Sequence, residues 1–250
     1  MLKLQHISSG YGKRQILHGI CANIEKGTFT SIIGPNGCGK STLLKTAMGI
    51  LPLMDGQITL ECRELRQLTP GEIAKEIAYL SQGKAVPEMT VEQLVLHGRF
   101  PHLQYPRRYT QLDREIAFSA MARMNLTHLA DQPLSALSGG MRQTAYIAMA
   151  MAQDTGFILL DEPTTYLDIA NRFALMDILR DLAASGKGIV AVLHDIPLAM
   201  EYSHRILVME NGAVAAAGTP EEIYASGIID KIFSIHLEKT AAGYLCCKSG

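Results

Sequence analysis

No stretch of this sequence approaches the roughly 18 consecutive apolar residues that a membrane-spanning helix needs. The longest apolar stretches, residues 157–160 and 189–193, have the length of strands. A basic excess is also missing. Lys and Arg number 23 against 24 Asp and Glu, a formal net charge of −1, so the footprint of non-specific nucleic-acid binding is absent. The five cysteines (Cys21, Cys38, Cys62, Cys246 and Cys247) are odd in number and lack framework spacing, which argues against a disulfide-stapled scaffold. Cys246-Cys247 reads as incidental thiols near a frayed terminus rather than as a metal or redox pair. Residues 1–10 lack the apolar core and cleavage pattern of a signal peptide, so a cytosolic location is expected. Repeats and low-complexity segments are absent too. The chain has 48% hydrophobic and 19% charged residues over 250 positions. That is ordinary globular composition, enough for one large domain or a core with a small subdomain.

The strongest positive signal is Gly34-Pro35-Asn36-Gly37-Cys38-Gly39-Lys40-Ser41-Thr42, which satisfies the phosphate-loop pattern G-x-x-x-x-G-K-[ST]. Its context fits: residues 29–33 read as a buried strand and residues 41–50 as a helix. Glycines let successive N–H groups turn toward one anion, and the helix N-terminus adds partial positive charge. Lys40 is expected to reach the outer phosphates, and the Ser41 hydroxyl to ligate Mg²⁺. Cys38 lies inside this loop. The local field is expected to lower its pKa and make it alkylatable, in competition with nucleotide.

A phosphate loop needs a carboxylate to complete the Mg²⁺ shell. Phe157-Ile158-Leu159-Leu160-Asp161-Glu162 is four apolar residues ending in two acids, the Walker B pattern. A buried strand ending in Asp aims that carboxylate at the sheet edge where open α/β sheets bind ligands. Asp161 is expected to hold Mg²⁺ through water. Glu162, one residue on, would polarise an attacking water as general base. His194 ends the next apolar strand and would hydrogen-bond the γ-phosphate or that water. Gln82 follows a strand at 77–81, where its amide can ligate Mg²⁺ and sense the γ-phosphate. Ser138-Gly139-Gly140 precedes a helix expected over 138–152, a second anion-seeking N-terminus. Alone it would read as a glycine turn.

Strands are also expected at 2–7 and 57–60. A helix at 169–185 between the strands at 157–160 and 188–193 makes a β-α-β unit with a parallel sheet. Residues 205–210 and 213–217 flank Asn211-Gly212, a hairpin turn. Thr219-Pro220-Glu221-Glu222 reads as a capping box opening a closing helix. Residues 83–137 lack clear strands and carry helices at 91–98 and 113–124, a helical insertion in the α/β core.

These elements resemble, over nearly the whole length, the ATPase subunit of ABC transporters. Walker A is residues 34–42, the Q-loop residue Gln82, the signature Leu137-Ser138-Gly139-Gly140-Met141-Arg142-Gln143, Walker B residues 157–162, the D-loop Thr165-Tyr166-Leu167-Asp168 and the H-loop residue His194. Tyr11 matches the aromatic that stacks on adenine. Met141 and Tyr166 depart from common family residues without removing a phosphate ligand. The resemblance implies one ATPase domain over 1–250. Residues 1–82 and 153–250 would form an α/β P-loop NTPase (RecA-like) core with an antiparallel β subdomain. Residues of about 83–152 would form an inserted α-helical subdomain that includes the signature.

The resemblance further implies ATP and Mg²⁺, and a head-to-tail dimer of two copies or of this chain with a related subunit. Walker A of one subunit and Ser138-Gly139-Gly140 of the other would hold each ATP, with Asp168 at the seam. Residues 90–102, above all Gly98-Arg99-Phe100-Pro101-His102, resemble the helical subdomain of importers for iron–siderophore complexes, haem and cobalamin. That implies a separate membrane permease dimer, an extracytoplasmic substrate-binding protein acting indirectly, and a place on the cytoplasmic face of the membrane. A ribosome- or DNA-acting ATPase is the rival reading; one core, no long heptads and no basic arm argue against it. A non-hydrolysing P-loop module would not need Glu162 and His194.

Overall fold

The computed structural model describes residues 1–83, 86–241 and 243–248; Lys84 and Ala85 of the expected helical insertion lie outside the described residues. The chain opens with an antiparallel pair, β1 (Leu2–Tyr11) and β2 (Arg14–Ile24), followed by β3 (Phe29–Ile33) and α1 (Lys40–Ala47). Next come β4 (Leu53–Leu60), the short β5 (Arg63–Glu64), α2 (Pro70–Glu76) and β6 (Ile77–Leu80). Three helices follow: α3 (Val91–His97), α4 (Gln111–Arg123) and α5 (Gly139–Ala152). The chain then alternates through β7 (Phe157–Asp161), α6 (Ile169–Ala184), β8 (Gly188–Val192), α7 (Ile196–Tyr202), β9 (Arg205–Glu210) and β10 (Ala213–Gly218). It closes with α8 (Pro220–Ser226), α9 (Ile228–Phe233), β11 (Ile235–Thr240) and β12 (Gly243–Lys248).

The central sheet has the order β10-β9-β3-β8-β7-β6, parallel except for the β9–β10 hairpin. Its strands are short apolar runs because both faces are covered. Period-2 alternation sorts them cleanly. Leu80, Ile158, Leu160, Ile189, Ala191 and Val208 face the helices α3 to α9. Ile77, Phe157, Leu159, Val190, Val192 and Leu207 face α1 and the second sheet. That second sheet, β2-β1-β4-β5, is antiparallel. The parallel strands β3, β8, β7 and β6 therefore end at one edge, and the motif residues follow those ends.

Several elements go beyond the sequence reading. β2 is an 11-residue strand whose buried residues Leu17, Ile20, Ala22 and Ile24 change phase at Gly19, where φ is 58° and the register against β1 shifts. The segment after α8 is not a frayed terminus. Leu237 and Tyr244 of the β11–β12 hairpin are buried in the core, and Tyr244 meets the Tyr224 ring edge-on at 5.6 Å. Cys246 and Cys247 lie on β12 as exposed free thiols. The Asn211-Gly212 turn forms as expected, both residues at positive φ (48° and 78°). Strand pairing among residues 86–137 is limited to one isolated bridge, Thr90 to Pro133.

Candidate functional site

α1 starts at Lys40, with Gly39 as its N-cap at φ 106°, a conformation an L side chain rarely adopts. The Lys40 side chain is buried, and its ammonium donates to the carbonyls of Gly34 (2.7 Å) and Pro35 (2.9 Å). The loop thus holds the charge at the phosphate position, where phosphate oxygens can exchange for carbonyls. The Asn211-Gly212 turn braces the loop from behind, since the Gly212 N–H donates to the Cys38 carbonyl at 3.0 Å.

Register brings the acidic pair to this loop. β7 ends at Asp161, and Ser41 Oγ donates to Asp161 Oδ1 at 3.0 Å. A hydroxyl and a carboxylate side by side are hard oxygen donors of the kind Mg²⁺ takes together with phosphate and water, so the residues fit that ion. Asp161 is buried, and burial raises its carboxyl pKa; the Ser41 hydrogen bond opposes this, while Glu162 adds to it. Leu80 pairs with Leu160, which projects Gln82 opposite Glu162, and the Gln82 amide donates to Glu162 Oε2 at 2.7 Å. His194, two residues past β8, puts Nε2 2.6 Å from Glu162 Oε1. Glu162 sits at φ 53°, a left-handed conformation that costs on the order of 1–3 kcal/mol and typifies functional sites. A carboxylate aligned by an amide and an imidazole, beside a lysine-bearing phosphate loop, can orient and deprotonate a water.

Lys40, Ser41, Thr42, Gln82, Glu162 and His194 line one cleft of about 830 Å³, with Asn36, Gly37 and Gly39. Tyr11 stands half-exposed on its rim, with Lys45 Nζ 3.5 Å from its hydroxyl. Ser138, Gly139, Gly140 and Asp168 do not join this cleft. They line a second one of about 540 Å³ with Tyr166. Ser138 caps α5 by accepting from Met141 N (3.3 Å), and Asp168 caps α6 by accepting from Asn171 N (2.8 Å). A Cβ on Gly140 would lie 2.9 Å from the Tyr166 carbonyl, so the signature glycine lets the turn before α6 pack down on α5.

Cys38 corrects an expectation. Its side chain is buried, and burial pushes the thiol pKa up, outweighing the lowering by Lys40. Sequence reasoning missed Arg14 and Ile16 in the cleft wall, and it read Thr165 only as part of the D-loop, without the hydrogen bond its hydroxyl donates to Glu162 Oε2 at 3.4 Å. Thr165 lies three residues past Glu162, a spacing that a turn closes. Arg14 and Ile16 carried no signal beyond nearness to Tyr11.

A phosphate loop between β3 and α1, with an acidic pair ending a neighbouring parallel strand, defines a P-loop ATPase. The ABC transporter family model matches residues 17–165. The ferric enterobactin transport ATP-binding protein FepC of Escherichia coli (strain K12) is 39% identical over 236 residues, covering 94% of this chain and 87% of that protein. The iron(3+)-hydroxamate import ATP-binding protein FhuC of Bacillus subtilis (strain 168) is 39% identical over 239 residues, covering 95% and 89%. Among solved structures, the dimeric structure of MJ0796, a bacterial ABC transporter cassette, superposes with a TM-score of 0.77 at 28% identity, covering 88% of this chain and 99% of that one. The chain belongs to the ABC transporter family, as one of its ATP-binding, ATP-hydrolysing subunits.

Proposed function

We propose that this chain hydrolyses ATP at the cleft of Lys40, Asp161, Glu162 and His194 to energise import of a metal chelate, an iron–siderophore complex, haem or cobalamin, through a separate permease dimer. The observation that carries the reading is Glu162 held between Gln82 at 2.7 Å and His194 at 2.6 Å, next to the phosphate loop. Glu162 takes the proton of the attacking water, and His194 and Gln82 fix its orientation. Lys40, the N–H groups of residues 34–42 and the N-terminus of α1 hold the phosphates. Tyr11 stacks on the base. Ser41, Gln82 and Asp161 would hold Mg²⁺, which would supply neutralising charge to the transferring phosphoryl group.

The separate cleft of Ser138, Gly139, Gly140 and Asp168 supports a head-to-tail pair, in which the signature of one subunit closes on the ATP of the other. The related cassette of known dimeric structure is consistent with this. The chelate assignment draws on the two relatives, a ferric enterobactin transporter subunit and an iron(3+)-hydroxamate importer subunit. In this reading residues 83–152 form the helical subdomain, the chain sits peripherally on the cytoplasmic face, and an extracytoplasmic binding protein delivers the chelate. Among the described residues no helix is long and apolar enough to cross a membrane.

Glu162→Gln tests the chemistry. Removing a positioned general base costs about 10²–10⁴-fold in rate, so phosphate release should fall by that order while ATP affinity stays at the wild-type value. Near-normal turnover would sink the general-base role.

A further inference from the structure

Gly98-Arg99-Phe100-Pro101-His102 belongs to neither cleft, yet its polar side chains turn inward. Arg99 is 6% exposed. Its Nε donates to Asp113 Oδ1 at 3.0 Å, and its Nη1 donates to the carbonyls of Ala152 (3.0 Å) and Gln153 (3.4 Å). His102 Nε2 lies 2.8 Å from the Gln153 carbonyl and, since a carbonyl only accepts, carries the proton. The Gln153 amide in turn donates to the carbonyls of Ala74 (2.6 Å) and Ile77 (3.2 Å). Asp113 is held from its other side by the backbone N–H (2.9 Å) and hydroxyl (2.7 Å) of Thr110. Gly98 permits the contact: a Cβ there would fall 2.3 Å from the Met149 carbonyl.

These bonds converge on the C-terminal end of α5. The last carbonyls of a helix lack intrahelical donors and carry the negative end of its dipole. A guanidinium and an imidazole N–H are groups suited to cap them. The opposite end of α5 carries Ser138, Gly139 and Gly140. β6 starts at Ile77, on which Gln153 is tied, and leads to Gln82. One buried knot therefore holds the far ends of two elements whose near ends carry the signature and the Q-loop glutamine.

We propose that Arg99, His102, Asp113 and Gln153 are positioning residues for ATP hydrolysis, fixing the angle of α5 against β6 and hence the placement of the signature on the paired subunit's ATP. The proposal rests on the head-to-tail pairing above. α5 is a lever of about 21 Å, so a tilt of ~5° at the knot moves Ser138 by about 2 Å. Misplacement by ~1 Å can cost ~10²-fold in rate. Arginine serves the carboxylate through Nε and the two carbonyls through Nη1, a spread over two nitrogens that lysine's single ammonium nitrogen lacks.

The test compares the full-length wild type with Arg99→Lys, with His102→Leu, and with Arg99→Met combined with Asp113→Leu, a pair that leaves no lone buried charge. ATP affinity of the unpaired chain, steady-state hydrolysis per folded molecule, and ATP-driven pairing in a Glu162→Gln background are measured. The expected split is ATP affinity within ~2-fold of wild type, with kcat lowered ~10-fold or more in the Arg99 variants and ~3-fold in His102→Leu, and pairing weakened in step. His102 is only partly buried, so its variant reports even where the Arg99 variants do not fold. Wild-type kcat in every variant that folds would overturn the proposal and make the knot a packing feature. A wild-type chain that neither hydrolyses ATP nor pairs would overturn the pairing reading, and the proposal with it.

Discussion

Within the phosphate loop the Cys38 N–H donates to the Pro35 carbonyl at 3.3 Å, and its thiol is shielded from solvent. Reactivity follows the thiolate, and both burial and the raised pKa lower its supply. Maleimide treatment of the native protein should therefore modify the exposed Cys21, Cys62, Cys246 and Cys247 first, with Cys38 lagging ~10-fold or more. Peptide mass spectrometry over time reads this directly; labelling of Cys38 alongside the exposed set would show that the loop opens in solution. At this scale the sequence was most legible where chemistry demands one residue type at one spacing, as with Lys40, Asp161, Glu162 and His194. It was least legible where burial decides the outcome. Whether Lys40 or desolvation sets the Cys38 thiol depends on its burial in the core cluster that also holds Leu17, Leu207 and Met209, which no local pattern encodes.

α2 shows how a short element is held by its first turn. Thr69 and Glu72 form a reciprocal capping box: the Thr69 N–H donates to Glu72 Oε2 at 2.9 Å and the Glu72 N–H to Thr69 Oγ1 at 3.3 Å. The Thr69 N–H, and then Arg63, hold the Glu72 carboxyl down at about 2, against an ordinary value of 4.5. A depressed carboxylate pKa supplies stability above the unfolded value and loses it as pH falls toward the folded one. Amide exchange protection at Thr69 and Glu72 should therefore decline between pH 4.5 and about 2. Glu72→Gln should abolish that decline, and an unchanged pH profile in this variant would show that another group titrates. Seven residues are too few for helical periodicity to announce α2, although Thr69-Pro70-Gly71-Glu72 has the same form as the box read at Thr219. The bulge at Gly19 hid β2 in the same way, by breaking its alternation. The β11–β12 hairpin buries just Leu237 and Tyr244 among its described residues, with Ile235 packed partly against the core. By contrast, β7, β8 and α6 stood out because continuous apolar runs and a long periodic helix carry their own length.

At the scale of the whole molecule, the phosphate-loop cleft and the signature cleft are separate. The subunit proposed here also lacks, among the described residues, any helix able to span a membrane. The separation of the clefts points to work done in company. Affinity purification of the tagged chain from detergent-solubilised native membranes should recover a polytopic permease at about equal stoichiometry, as matched homomeric partners would give. Recovery of ribosomal or DNA-associated proteins, with no membrane protein, would leave the ATPase standing and remove the transport assignment.

The separation of the two clefts also has a genetic meaning. Under head-to-tail pairing each ATP is served by halves of two chains, so a copy with a ruined signature spoils a phosphate loop that is not its own. In a cell making equal amounts of intact and signature-defective copies, random pairing leaves only about one dimer in four with both sites whole. A lesion at Ser138 would then act dominantly, although the intact copy is still made.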